Sequence, residues 1–527
     1  MNIVYQNDDV FNLWEPVRRD NSVVYYEYMP IPESSNAVST TNGFLQPNTR
    51  CRFINSSTSE KVLYSRSFID IMAQIYDSQN PPQPITNPID VALSNNFPMF
   101  DQAIFKLGGT SVETTTTLLS EKNLVKNLLD YSDDDRFSYQ AQLWAPDSGI
   151  ARNYGTGPTI GGPGLAVIKP TLPLLQAFNA TTGSSYQTIP DAAYNQGAAT
   201  RYRYTWGGWS TAPATTLPTG ANVNGTGFVN IRVPVYRYFD FLAKDRFYTG
   251  NQATMELVVG PNQTNLFQVL VNSAVASAAG PPVANTITYA PSTITNGPVQ
   301  LKVLSLTWMI PTIRAAPSLD NELLLKMNTD RTSTFSYRYC EPWVTSVNSG
   351  SNLNWLITSS SEKIDFVLIG FRWSNLINDP DQVQNSQVFH NVLQYMITTY
   401  LQIGSTNYPK DKYQPQMNQG SYGPMIPYNK LLEITNRLLD YEGGMSLTWN
   451  RFYNEGIYTL LPFDCRFTDE NAAFQVGQAK EVRYFATFSQ AAPALPTNLG
   501  TLNAYAFLFS SKEVSMNLIN GAMTVLG

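Results

Sequence analysis

The chain contains a single histidine, His390, in Gln387-Val388-Phe389-His390-Asn391, among 527 residues. A metal site built on two histidines is therefore excluded, and no Gly-x-Ser-x-Gly turn supplies a nucleophile for His390 to activate. It reads as a hydrogen-bonded structural residue. The densest set of oxygen ligands is the acidic run Asp130, Asp133, Asp134 and Asp135 beside Arg136, the donor type that a hard cation takes. It lacks the spacing of an EF-hand loop and reads as a solvated turn. The glycines of Gly155-Thr156-Gly157-Pro158 and Gly161-Gly162-Pro163-Gly164 are followed by no Gly-Lys-Ser/Thr, so they do not make a phosphate loop. A glycosidase would need two carboxylates facing each other across a cleft, and no such pair stands out. The expectation is a chain with no catalytic, cofactor-binding or metal-binding residues, and no enzyme.

The remaining reactive groups are equally quiet. Cys51, Cys340 and Cys465 are odd in number, far apart and without Cys-x-x-Cys spacing, which suits core thiols of a protein matured in a reducing compartment. Sequons at Asn55, Asn179, Asn224 and Asn262 are what an Asn- and Thr-rich chain produces by chance. Trp206 and Trp209 could form a sugar platform, which keeps open a carbohydrate-binding or receptor-binding β-sandwich. Net charge is −6 and no block of five or six Lys or Arg occurs, so direct or sequence-specific nucleic-acid binding is not expected. Met1–Glu15 lacks the apolar core of a secretion signal. Phe267–Ala279 is broken by Gln268, Asn272, Ser273 and Ser277, short of the about 18 apolar residues a membrane span needs.

Only 14% of residues are charged, against roughly 25% in a typical soluble protein, while 30 Tyr and 26 Phe supply bulk. A neutral polar surface of this kind favours lateral contact between subunits, because little ion desolvation opposes it. The length suits two domains of about 250 residues.

A phrase repeats. Asn127-Leu128-Leu129-Asp130-Tyr131 returns as Arg437-Leu438-Leu439-Asp440-Tyr441. Upstream of each, an apolar run closes on Gly plus a hydroxyl residue: Phe105-Lys106-Leu107-Gly108-Gly109-Thr110 and Leu401-Gln402-Ile403-Gly404-Ser405-Thr406. Downstream, Arg136–Tyr139 and Ser446–Trp449 alternate as strands would, and Phe239-Asp240-Phe241 echoes Pro462-Phe463-Asp464. The chain reads as two copies of one β-rich module, each with a short helix: Glu121–Leu129, with Leu124, Val125, Leu128 and Leu129 on one face, and Asn429–Leu439. The stretch from Tyr131 to Phe239 far exceeds that from Tyr441 to Phe463, so the first copy carries an insertion, 145–227, rich in Gly, Pro, Ala and Thr. Its Tyr202, Tyr204, Trp206 and Trp209 point to an ordered projection. Turn-rich sequence between Gly260 and Pro298 marks the junction. The expected division is 1–270 and 271–527, with the strand Val299–Pro311 opening the second module.

Eight or more short strands per module, with long loops, give an all-β chain of two tandem eight-stranded jelly-roll sandwiches with short helices in loops. With the Gly-ended strand, the helix and the Leu-Leu-Asp-Tyr corner in each half, and the strand-and-turn ending in Tyr408-Pro409, the chain resembles the double jelly-roll major capsid proteins of polinton-like viruses, virophages and related icosahedral DNA viruses. The resemblance spans most of the chain outside Met1–Asp20 and the insertion. It implies a structural role: homotrimers, pseudo-hexameric, tiling an icosahedral shell beside penton and minor capsid or cement proteins. It implies location in the virion after synthesis in the host cytoplasm or nucleus; Met1–Asp20, outside the resemblance, reads as an inward or lateral arm.

Overall fold

The computed structural model describes residues 23–526, except 57–60, 78–79, 86–90, 133–134, 148–196, 198–199, 202–203, 206–226, 244–247, 249–251, 262, 270–298, 348–351, 358–363, 374–387, 417–422, 438–444, 455–456, 467–480, 490–500 and 518–522. Sixteen strands build two sandwiches. The first comprises β1 (Val23–Pro32), β2 (Arg50–Asn55), β3 (Phe68–Tyr76), β4 (Phe100–Leu107), β5 (Thr110–Thr115), β6 (Phe228–Pro234), β7 (Ala253–Val259) and β8 (Gln300–Ala315). The second comprises β9 (Thr332–Val347), β10 (Asn352–Ile357), β11 (Ile364–Trp373), β12 (Met396–Ile403), β13 (Thr406–Tyr413), β14 (Leu460–Asp464), β15 (Val482–Phe488) and β16 (Leu502–Asn517).

In the first sandwich the sheets run β1-β8-β3-β6 and β2-β7-β4-β5, and in the second β9-β16-β11-β14 and β10-β15-β12-β13. The second order is the first with every strand advanced by eight. Among the described strands all of these pairings are antiparallel. This is the tandem jelly roll expected from the sequence. Short additions extend the pattern: Lys61–Val62 pairs with β8, Met523–Leu526 with β16, and Val91–Leu93 with Phe267–Val269.

The period-two pattern is visible strand by strand. Ile69, Ile71, Ala73 and Ile75 of β3 face the core while Met72 is exposed. In β8, Leu301 and Val303 are buried, a register shift at Val303/Ser305 leaves Leu304 outward, and Leu306, Trp308 and Ile310 resume the inward face. The hairpins β4–β5 and β12–β13 turn at Gly108 and Gly109 (φ 55° and 84°) and at Gly404 (φ 60°). Positive φ is where a glycine costs least, so the Gly-ended strands of the two copies are equivalent. β1 runs on through Pro30 and Pro32, because it is an edge strand and a missing N–H can face away from the sheet.

Several expectations need correction. The strand Val299–Pro311 does not open the second module: β8 pairs with β1 on one side and β3 on the other. It is the eighth strand of the first sandwich, and on this pairing we move the junction from 270/271 to the helix Pro317–Thr329 that follows it. Arg136–Tyr139 is no strand: a helical turn covers Asp135–Ser138 and a 3-10 turn follows at Gln140–Gln142. Ser446–Trp449 is no strand either; a π-helical turn covers Asn450–Asn454. Phe239 lies in the turns that follow β6, whereas Phe463 lies inside β14, so that echo is not an equivalence. Local alternation of large and small residues misled at these sites, because a tightly packed turn also buries every second or third side chain.

Candidate functional site: the joint between the sandwiches

The helix of the first copy, α1 (Leu119–Asp130), starts with Glu121 in its first turn, where the dipole favours an acid. Leu124, Val125, Leu128 and Leu129 form the apolar face read from the sequence. That face, with Tyr131 and Trp144, packs into the core of the second sandwich. Conversely Phe335, Tyr337, Tyr339 and Val514 of the second sandwich join the core of the first. Each core is thus completed by the other module.

The adjoining side of α1 carries charge into the joint. Lys122 is fully buried and its Nζ lies 2.9 Å from Glu113 on β5 and 2.7 Å from Asp240 in the turn after β6. One turn on, Lys126 Nζ is 2.5 Å from the other Asp240 oxygen and donates to Tyr236 O at 3.1 Å. The remaining acceptors are used as well: Phe241 N donates to Glu113 (3.1 Å), and Cys340 N on β9 donates to Asp240 (2.9 Å). The last bond crosses from one sandwich to the other. Burial alone would raise the Asp240 pKa, but the Lys122 and Lys126 ammonium groups outweigh it and hold it below the usual range. For Lys122, burial opposes the charge while Asp240 and Glu113 raise its pKa well above the ordinary value. Glu113 is pushed up by burial and by Asp240, against the pull of Lys122.

A second ionic crossing uses the neighbouring residue. Arg372, buried on β11, donates from Nη1 to Glu121 (2.8 Å) and from Nε to Val388 O (2.6 Å), and stacks 4.3 Å from the Phe389 ring. Further crossings are Ser446 N to Tyr131 O (2.9 Å) and Asp147 N to the Tyr458 hydroxyl (3.0 Å). Beside Glu121, Asp101 at the start of β4 is pushed up to about 6 by burial, with the Glu121 charge adding and the Leu118 N–H, 3.0 Å away, opposing. A carboxyl raised in the folded state contributes stability at low pH that is lost as pH rises through about 6. Asp101→Asn keeps the acceptor for Leu118. It is expected to stabilise the chain by about 1–2 kcal/mol at pH 8, after discounting for partial exposure, and to have no effect at pH 3. Denaturant titrations at the two pH values check this; a loss at pH 8 would refute the sign.

His390 is buried, its backbone N–H donates to Phe371 O at 2.7 Å, and burial followed by Arg372 drives the imidazole pKa down to about 3. It sits beside the Arg372 crossing, where burial favours the neutral imidazole. Of the acidic run, Asp135 accepts from Ser132 N (2.7 Å) as part of a turn, and Asp133 and Asp134 lie outside the described residues. All three cysteines are buried free thiols. Asn55 is fully buried and donates to the Tyr64 hydroxyl (3.1 Å), so that sequon is inaccessible in the fold. The sequons at Asn179, Asn224 and Asn262, the glycines 155–164, Trp206, Trp209 and the second Leu438–Tyr441 phrase lie outside the described residues. The second helix, α3, following α2 (Pro317–Thr329), covers Met425–Ile434 and ends earlier than expected, at Asn436 with φ 58°. Sequence reasoning did not identify the Lys122–Glu113–Asp240 cluster. Its signal was Phe239-Asp240-Phe241, a carboxylate held between two aromatics that cannot both be placed in water.

Among the described residues no helix is long and apolar enough to cross a membrane, and no group of His, Cys, Asp and Glu could hold a metal. No family model and no curated protein matches the sequence. Among solved structures, the chain is similar to one from the cryo-EM structure of the Sputnik virophage, at 13% identity and TM-score 0.53, over 97% of this chain and 90% of that one. It also aligns with the mavirus major capsid protein (9% identity, TM-score 0.47, 95% of this chain and 90% of that one) and that of Faustovirus (10%, 0.46, 95% and 92%).

Proposed function

We propose that this chain is the major structural subunit of an icosahedral viral shell, without enzymatic activity, assembled as a homotrimer whose six sandwiches form a pseudo-hexagonal tile. The observation that carries this reading is the strand order repeated in two sandwiches and locked into one subunit by a buried joint. Two similar wedges at a fixed angle become six around a threefold axis, which is the shape that packs flat on a facet. The fold shared with a chain of the Sputnik virophage particle supports it. So does the surface: Tyr25, Tyr26 and Tyr28 on β1 and Leu356 and Ile397 on the second sandwich are exposed, the aromatic and aliphatic residues that subunit contacts use. The subunit would meet its own copies first, then penton and minor capsid or cement proteins, in a virion built in the host cell.

Native mass measurement with negative-stain imaging of the purified full chain tests the reading. A trimer with pseudo-hexagonal outline is expected. A stable monomer or dimer at high concentration, with no trimer, would overturn it.

A further inference from the structure

The insertion is not a simple outgrowth. Its chain leaves the first sandwich at Asp147 and is back against the same backbone at Gly197, where an added Cβ would lie 2.1 Å from Pro146 O and 2.6 Å from Ala145 O. Only glycine permits that approach. One turn later Arg201, 1% exposed, spends its guanidinium on three acceptors from two pieces of chain: Nε to Leu93 O (3.0 Å), and Nη2 to Asp147 (2.8 Å) and Nη1 to Ala145 O on the entry segment. Thr205, fully buried, accepts the Leu93 N–H (3.2 Å) and donates to Arg201 O (2.7 Å), and Tyr204 donates its hydroxyl to Asn230 O on β6. Asp147, the carboxylate partner, donates its own N–H to Tyr458 of the second sandwich, and Ala145 N donates to Asn95 (3.0 Å).

A buried guanidinium is costly unless its donors are satisfied and its charge is met. Here the guanidinium comes from the exit side of the neck and its acceptors from the entry side and the Val91–Leu93 strand, so the bonds hold the entry and exit of the loop together. We propose that Gly197, Arg201 and Thr205 form, with Ala145–Asp147 and Leu93, a latch that closes the neck of the insertion and fixes it to the joint between the sandwiches. The chain between Asp147 and Gly197 is then replaceable, while Gly197, Arg201, Tyr204 and Thr205 belong to the joint. The proposal is independent of any viral role.

Two replacements in the full chain separate these parts: residues 149–195 by a short Gly-Ser linker, which keeps the latch, and residues 149–207 by the same linker, which removes it. Hydrogen exchange is read at two peptides, one containing Leu93 and one containing Tyr458, together with the thermal midpoint. The first protein is expected to match the full chain at both peptides. The second is expected to exchange about tenfold faster at both, the loss of a charged hydrogen bond and its neighbours. Arg201→Met, in the otherwise intact chain, should reproduce that rise, and Thr205→Val, which removes the acceptor for Leu93 N–H and the donor to Arg201 O but keeps the guanidinium bonds, should raise exchange at the Leu93 peptide alone. If the 149–207 replacement fails to fold, the two point variants still decide. Loss of protection or of folding in the 149–195 protein, or unchanged exchange in Arg201→Met, would overturn the latch.

Discussion

Lys122→Met is expected to cost about 3–5 kcal/mol, because it strands two carboxylates, Glu113 and Asp240, in the interior with one buried countercharge fewer. Methionine fills nearly the same volume, so the loss reports charge and not a cavity. Lys126 remains near Asp240, but Glu113 keeps only the Phe241 N–H among these partners. The pH dependence follows from the signs. Asp240, held below its ordinary range, contributes stability above its unfolded pKa, lost as pH falls through the folded value. Lys122, held above its ordinary value, contributes stability lost only in strong alkali. Equilibrium urea titrations at pH 7 check the magnitude. Adding Glu113→Gln alone to the variant should recover much of the loss, since Asp240 keeps its pairing with Lys126 and no unpaired carboxylate is left buried. A Lys122→Met protein as stable as the parent would show that the cluster is solvated.

Leu128→Ala should cost about 2–5 kcal/mol, the usual range for a fully buried leucine, and the damage should appear in the wrong half of the sequence. Leu128 belongs to the first module by chain position, yet its neighbours are in the core of the second. Hydrogen exchange should therefore rise in β10, β12 and β15 at least as much as in β4 and β7. Disturbance confined to the first sandwich would mean that the two cores are separable. Ile71→Ala is the control: its side chain lies in the first core and should loosen β3 and β8 first.

Much of this architecture is local and therefore written in the sequence. Alternation in Phe68–Tyr76 shows which side chains are buried, Gly108, Gly109 and Gly404 mark the two equivalent hairpins, and Leu124, Val125, Leu128 and Leu129 declare an apolar face. Few charges and abundant tyrosine mark a surface suited to contact. None of these signals names a partner. Alternation in Val299–Pro311 says that the strand has one dry face, but its hydrogen bonds go to β1 and β3, hundreds of residues earlier in the chain, so only the folded sheet assigns it to the first sandwich. The helix face likewise had to be buried against something, and tertiary packing chose the other module. Lys122 is the clearest case: a lysine is read as exposed because an isolated buried ammonium is prohibitively costly. It becomes acceptable only when Glu113, Asp240 and the Cys340 N–H, from three separate segments, converge around it. Local chain geometry is encoded residue by residue, whereas the joint exists only where distant segments compensate each other's desolvation.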